Sequence, residues 1–348
     1  MPQACNIDPM RFAVVGLGFM GSAHLQALRS VPGAELVAVF DRSEKKLQGD
    51  FSDVQGNFGG LGANIDFGGV KRYRDLQALL ESSGIEAVDI CLPTHLHEPV
   101  VIEALRQRKH VLVEKPMAID SSEAARMAAV AKTSGRVLMV AHVLRFMAGY
   151  EALRDILRGG QLGEARFIEF RRACAWPAWS EWLSDPLRSG GAALDLLVHD
   201  IDIAVQLFGK PVSVSASGAF RPEQGIDVIS AALHYGNGLD AVINGGWFHR
   251  GEYPLSMGYT LVADQGTLEF QSDSPALRLY RDQGGKELIP LPEKDGYAAE
   301  IAYFVECCRD GAGYPERCPP EDSATAVALS ELLREARKRS GEKVICRI

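Results

Sequence analysis

The chain has 348 residues, 47% of them hydrophobic and 24% charged, enough for two domains of ordinary size with cores to bury. Its formal net charge is −8 and it has no basic run, which argues against a nucleic-acid partner. No apolar stretch reaches the roughly eighteen residues needed to cross a bilayer, and the first ten residues lack a charged-then-apolar signal pattern.

Residues 11–142 alternate strand-like and helix-like segments. Arg11–Val15 reads as an apolar strand, Gly21–Ser30 as a helix, Glu35–Phe40 as a strand and Asp41–Gln48 as a short polar helix. Residues 56–69 hold six glycines without periodicity and read as a loop long enough to be a lid or an insertion. Leu76–Glu81 is expected to be helical, Ala87–Leu92 a strand, Pro99–Arg108 a helix and His110–Val113 a strand. An alanine-rich helix follows over Ser121–Ser134, capped by Ser121 or Ser122, and then a strand over Arg136–Ala141. This spacing predicts a parallel, doubly wound sheet.

The pattern changes near residue 150. After a connecting helix, Glu151–Arg158, strand-like runs follow at Ala165–Arg171, Val212–Phe220, Val228–His234, Leu239–Trp247, Tyr259–Ala263 and Thr267–Phe270. Such a series predicts one large, mostly antiparallel sheet. Late helices are expected at Ala298–Cys308 and Glu321–Arg337, with a closing strand at Lys343–Ile348. The expected fold is therefore α/β. A Rossmann domain occupies residues 1–142, and an α+β domain with an open sheet occupies 143–348, its helix 321–337 free to pack back on the first domain.

Gly16-Leu17-Gly18-Phe19-Met20-Gly21 fits G-x-G-x-x-G between a strand and a helix, the context a dinucleotide loop requires. Asp41 ends the next strand, 20 residues beyond Gly21. A carboxylate there binds ribose hydroxyls and repels a 2′-phosphate, favouring NAD over NADP. Arg42 tempers that preference, because an arginine can stack on adenine or pair with a 2′-phosphate. Asp41 also reads as a helix N-cap.

Three clusters carry candidate chemistry. Pro93-Thr94-His95-Leu96-His97 follows a strand at the expected nicotinamide edge. Thr94 is a candidate contact, while His97 reads equally as a capping or core residue. Glu114-Lys115-Pro116 ends the next strand. Alone it would be a surface ion pair, but beside a dinucleotide Lys115 is placed to stabilise charge on a substrate oxygen. Asp195 and His199, four apart after the Gly190-Gly191 turn, are expected on one helical face. A histidine there suits proton transfer. Asp200 and Asp202 read as local hydrogen-bonding groups or substrate contacts rather than metal ligands. Trp176, Trp179 and Trp182 read as a sugar-stacking loop, a hydrophobic cluster or a subunit contact. The seven cysteines are odd in number and none has C-x-x-C spacing, so reduced thiols in the cytoplasm and no metal site are expected.

In this order and spacing the motifs resemble the Gfo/Idh/MocA oxidoreductases over nearly the whole chain. They are Gly16-x-Gly18-x-x-Gly21, Asp41-Arg42, Pro93-Thr94-His95-x-His97, Glu114-Lys115-Pro116, Arg145-Phe146, Gly190-Gly191 and Asp195-x-x-x-His199-Asp200. The resemblance implies Lys115 as catalytic lysine, a cis bond before Pro116, Asp195 as a substrate-side acid and His199 as the proton-transfer group. It also implies an open C-terminal sheet that builds a homodimer or tetramer. Cofactor contacts are expected from Gly16, Gly18, Phe19, Met20, Gly21, Asp41, Arg42, Pro93, Thr94, His97, Glu114 and Lys115. Substrate contacts are expected from Lys115, Arg145, Asp195, His199 and Trp176. The implied activity is NAD-dependent oxidation or reduction at a secondary alcohol of a polyol, cyclitol, sugar or sugar derivative. The alternatives are an NAD-dependent glycosidase using transient oxidation and a non-catalytic dinucleotide sensor. Two departures from the family pattern bear on pocket shape: the long 56–69 stretch, and Met147-Ala148 where Asn-Pro or Asp-Pro is usual.

Overall fold

The computed structural model describes residues 8–56, 64–282, 284–309 and 313–348. Two compact units emerge. One gathers Met1–Met117, Ala125–Val143 and Asp295–Pro320; the other gathers Ala118–Ala124, Leu144–Lys294 and Glu321–Ile348.

The N-terminal half runs β1 (Met10–Val15), α1 (Phe19–Leu28), β2 (Ala34–Phe40), α2 (Glu44–Leu47), β3 (Lys71–Tyr73), α3 (Leu76–Leu80), β4 (Ala87–Ile90), α4 (His97–Arg106), β5 (His110–Glu114), α5 (Ser121–Ser134) and β6 (Leu138–Ala141). The six strands form a wholly parallel sheet in the order β3-β2-β1-β4-β5-β6. Strand order reverses between β1 and β4, the switch point at which ligands of such sheets bind. β4 and β6 are buried along their whole length and β5 nearly so, as expected of strands covered on both faces. The cap of α5 is Asp120 rather than Ser121 or Ser122: its Oδ1 accepts the Glu123 N–H at 2.9 Å. An aspartate carboxylate is a strong acceptor at this position. Residues 57–63 of the glycine-rich stretch lie outside the described residues. On its near side Gly56 abuts the Phe19 ring, and on its far side the Ile65 N–H bonds the Gly49 carbonyl at 2.9 Å.

The chain continues through α6 (Ala148–Arg158), β7 (Ala165–Ala175), α7 (Glu181–Ser184), α8 (Pro186–Ser189), α9 (Gly191–Asp195), α10 (Val198–Phe208), β8 (Ser213–Arg221), β9 (Ile226–His234), β10 (Asp240–His249), β11 (Ser256–Ala263), β12 (Gly266–Gln271), β13 (Ala276–Arg281), β14 (Gly285–Pro290), α11 (Gly296–Arg309), α12 (Pro320–Lys338) and β15 (Val344–Ile345). Nine strands form one sheet, β14-β13-β12-β11-β7-β10-β9-β8-β15, in which only the β7–β10 pair is parallel. One face packs against Tyr150 and Leu153 of α6, Ala192 and Ala193 of α9, Ile201 and Val205 of α10, and Leu329 and Leu333 of α12.

The β13–β14 hairpin was not expected from the sequence. β14, Gly-Lys-Glu-Leu-Ile-Pro, is exposed almost throughout, so no hydrophobic alternation announces it. The closing strand shrinks to Val344–Ile345, which pairs with Val214 and Ser213. α11 belongs to the first unit. Its Phe304 meets Phe12 of β1 edge-on at 5.9 Å. Among the described residues no helix is long and apolar enough to cross a membrane.

Candidate active site

The turn after β1 shows why two of its three glycines are required. Gly16 sits at φ +95°, and a Cβ there would lie 2.8 Å from the Cys91 carbonyl oxygen. A Cβ on Gly21 would lie 1.9 Å from the Gly16 carbonyl oxygen, so α1 could not start so close to β1. Gly18 differs: the space its Cβ would occupy is open. Gly18, Phe19 and Met20 are partly exposed at the start of α1. Gly18 is the N-cap and contributes no capping side chain. An open approach to a helix N-terminus over a glycine suits a pyrophosphate, so these residues fit a dinucleotide.

Asp41, just past β2, accepts the Leu17 N–H at 2.7 Å on Oδ2 and the Ser43 N–H at 2.7 Å on Oδ1. It therefore ties the end of β2 to the glycine loop and stays partly exposed, while Arg42 is exposed. The cap of α2 is Ser43, whose hydroxyl accepts the Lys46 N–H, and Asp41 is left to shape the loop.

Sheet register brings the next residues to the same edge. Val15 pairs with Ile90, and Ile90 with Val113. The glycine loop, Cys91-Leu92-Pro93 and Glu114-Lys115 thus leave the sheet side by side. Lys115 is half-buried, and the Lys115–Pro116 bond is cis. Pro93 is partly exposed and Thr94 is buried at the head of a short 3₁₀ turn. Two expected cofactor contacts turn inward instead. His97 is 1% exposed, with Nδ1 3.0 Å from the Pro116 carbonyl and Nε2 2.8 Å from the Leu92 carbonyl. Burial lowers its pKa, outweighing the two carbonyls that favour the charged ring. It pins the lysine turn to the end of β4. Glu114 points into the interior, and its Oε2 accepts the Lys115 N–H at 3.0 Å.

In the second unit Asp195 is the last residue of α9 and His199 the second of α10. The single helix expected for this pair is broken at Leu196–Leu197. There the Leu197 N–H reaches back five residues to the Ala192 carbonyl at 2.9 Å, which also accepts from Leu196 at 3.0 Å. Such π-type turns interrupt helices at functional positions. Asp195 is buried and His199 half-buried.

The two acids after His199 lock α10. Arg172 of β7 grips Asp200 at 2.8 and 3.0 Å and also donates to the Tyr150 hydroxyl at 3.2 Å. Arg145 grips Asp202 with two bonds of 2.7 Å and lies 3.2 Å from Asp322 of α12. All four paired groups are at most 2% exposed. Bidentate geometry is what offsets the cost of burying such charges. Arg145, expected at substrate, therefore anchors the helix that bears His199. Arg172 was not singled out in the sequence, where it is one of two adjacent arginines on an ordinary strand. Trp176 is half-buried and meets Trp247 edge-on at 5.8 Å, while Trp179 is exposed.

The chain is 29% identical over 353 residues to the dTDP-3,4-didehydro-2,6-dideoxy-alpha-D-glucose 3-reductase of Streptomyces violaceoruber, covering 96% of both chains. It is 24% identical over 347 residues to the myo-inositol 2-dehydrogenase of Thermotoga maritima, covering 96% of this chain and 97% of that one. The fold matches the aldose-aldose oxidoreductase of Caulobacter crescentus with a TM-score of 0.82 at 22% identity, over 97% of this chain and all of the other. The model of the oxidoreductase family with an NAD-binding Rossmann fold matches residues 10–142, and that of the GFO/IDH/MocA C-terminal domain matches residues 150–269. The chain belongs to the GFO/IDH/MocA family of NAD-binding oxidoreductases.

Proposed function

We propose that this enzyme interconverts a secondary alcohol and a ketone on a polyol, cyclitol, sugar or sugar derivative, with NAD preferred over NADP. The observation that carries the reading is the register of Val15, Ile90 and Val113, which sends the glycine loop and Lys115 out of one sheet edge. When bound, NAD supplies the hydride acceptor. Lys115 Nζ donates a hydrogen bond to the substrate oxygen and stabilises negative charge developing there. His199 takes the hydroxyl proton on a ring nitrogen and returns it in the reverse direction. Asp195 orients substrate or imidazole. Asp41 repels a 2′-phosphate, and Trp176 contributes an aromatic face toward the sugar.

The relatives named as a sugar-nucleotide reductase and an inositol dehydrogenase support this substrate class. The outer face of the nine-stranded sheet supports self-association. Phe167 and Val262 are register partners, Val262 pairs with Thr267 and Thr267 with Tyr280. Phe167, Val262 and Tyr280 are all exposed, giving apolar side chains on three of four neighbouring strands that a second copy would cover.

The decisive experiment screens cyclitols, aldoses and sugar nucleotides with NAD and NADP, following reduced-cofactor absorbance for the parent, Lys115→Ala and His199→Ala. Turnover with at least one class, falling by about a hundredfold or more in both variants, supports the reading. Free sugar released without net NADH would show a glycosidase instead. Tight NAD binding with no turnover across the panel would show a sensor.

A further inference from the structure

Behind Lys115 the first unit buries a set of ionisable groups that the proposed chemistry does not use. His24 lies on the second turn of α1, Asp89 in β4, Glu114 at the end of β5 and Glu300 on α11. His24, Asp89 and Glu300 are wholly buried and Glu114 nearly so. His24 Nδ1 is hydrogen-bonded to Asp89 at 2.9 and 3.1 Å. Its Nε2 lies 3.0 Å from Glu114 Oε1 and 3.8 Å from Glu300 Oε1. Among the described residues neither oxygen of Glu300 nor His24 Nε2 has a hydrogen-bond partner, so the contact between Nε2 and Glu114 is one of charge. The Cys91 thiol faces Asp89 at 3.6 Å, and the Tyr297 ring tilts over His24 at 5.8 Å.

Three carboxyls and one imidazole cannot all ionise in this interior, because the uncompensated charge would cost too much. Burial, reinforced by the charges of Glu114, Asp89 and Asp295, raises the pKa of Glu300 well above the usual carboxylic range. Burial alone would neutralise His24, but Asp89, hydrogen-bonded to its Nδ1, holds its pKa well above ordinary histidine. Burial also opposes ionisation of Glu114, yet His24, Lys115 and His97 bring its pKa down. The Cys91 thiol and Tyr297 hydroxyl are pushed up by burial and stay neutral. What remains is an imidazolium between two acids, Asp89 on Nδ1 and Glu114 on Nε2, with Glu114 in turn accepting the Lys115 peptide N–H. The donor atoms of His24, Asp89 and Cys91 lie within 4.8 Å of one another. Direct hydrogen bonds already join His24 to Asp89, so the geometry is that of an ion network.

We propose that His24 is a positioning residue for Lys115: as an imidazolium clamped between Asp89 and Glu114, it fixes the carboxylate that holds the lysine's own peptide N–H. This rests on Lys115 meeting the substrate oxygen as proposed above. It also ties the helix at the cofactor loop to the strand that ends at the lysine, through one side chain. Without the imidazolium, Glu114 takes up a proton and its hold on the Lys115 peptide N–H loosens.

The test is steady-state kinetics of His24→Gln and Glu114→Gln, with NAD affinity by fluorescence titration. In either variant that folds, kcat should fall about tenfold to a hundredfold, while substrate KM and NAD affinity hold within about twofold. An unchanged kcat in the folded variants, or a loss carried by KM or NAD affinity alone, overturns the proposal, provided Lys115→Ala is inactive. An active Lys115→Ala would instead overturn the functional reading beneath it. On the parent enzyme, histidine side-chain ¹⁵N spectra should show one buried ring with both nitrogens protonated through neutral pH. A neutral His24 ring at pH 7 would sink the idea even if both variants failed to fold.

Discussion

Arg172 holds Asp200 through two guanidinium nitrogens, Nε at 2.8 Å and Nη2 at 3.0 Å, and Asp200 directly follows His199. Asp200→Asn keeps one amide oxygen before Arg172 but removes the opposing charge, leaving the buried guanidinium with neutral partners, the Tyr150 hydroxyl and a methionine sulfur among them. It should destabilise the protein by about 3–5 kcal/mol. Asp202→Asn should cost less, because Arg145 keeps Asp322 at 3.2 Å. Urea unfolding of the two variants checks the order; equal losses would show that Asp322 gives no compensation.

The glycine loop makes a paired prediction. Gly21→Ala drives a methyl into the Gly16 carbonyl and should lower stability along with NAD affinity. Gly18→Ala meets nothing within 4 Å, so stability should change by no more than about 1 kcal/mol while NAD binding weakens, because that methyl enters the space left for the pyrophosphate. Thermal melts and NAD titration separate them. Unchanged NAD affinity in Gly18→Ala would remove the pyrophosphate from that turn.

Asp41→Asn keeps an oxygen acceptor for one of the two loop amides, Leu17 or Ser43, and loses the charge. The ratio of kcat/KM for NADP over NAD should rise about tenfold or more, helped by exposed Arg42. An unaltered ratio would mean that the carboxylate does not meet the ribose.

Glu300 predicts a pH dependence of stability. In the folded protein it keeps its proton, while in the unfolded chain it ionises near its ordinary value of 4.5. The native state therefore binds more protons, and stability falls as pH rises above that value, by about 1.4 kcal/mol per pH unit for one proton. His24 adds the same sign above its ordinary 6.5, its stabilisation being lost as pH rises toward its folded value. Glu300→Gln removes only the first contribution. Its stability relative to the parent should be higher at about pH 8 than at about pH 5. Parallel urea midpoints across that range would contradict a protonated Glu300.

The exposed row of Phe167, Val262 and Tyr280 makes self-association testable. Phe167→Glu places a charge at the centre of that face and should reduce the mass measured by light scattering, with melting temperature little changed. A parent that is monomeric at micromolar concentration would remove the interface.

How far each feature was legible follows from the range of the interactions behind it. The parallel sheet was legible because strands buried on both faces write continuous apolar runs, and Gly16, Gly18 and Gly21 were legible because a phosphate turn needs glycine at fixed spacing. The inward turn of Glu114 was not: a carboxylate at a strand end reads as exposed until His24, ninety residues earlier, is seen beneath it. The break at Leu196–Leu197 also escaped, since both leucines favour a helix and the five-residue hydrogen bond is imposed by packing around α9.

The sequence by itself determined the fold class, the family and the glycine turn, and it singled out Lys115, Asp195 and His199 as the side chains proposed for the chemistry, because spacing along the chain encodes them locally. Tertiary structure alone decided which charges are spent inside the protein. Arg145 went to Asp202, His97 to two backbone carbonyls and Glu114 to His24, because a buried ionisable group must find its partner wherever folding brings one, and for Arg145 and Glu114 that partner lies dozens of residues away.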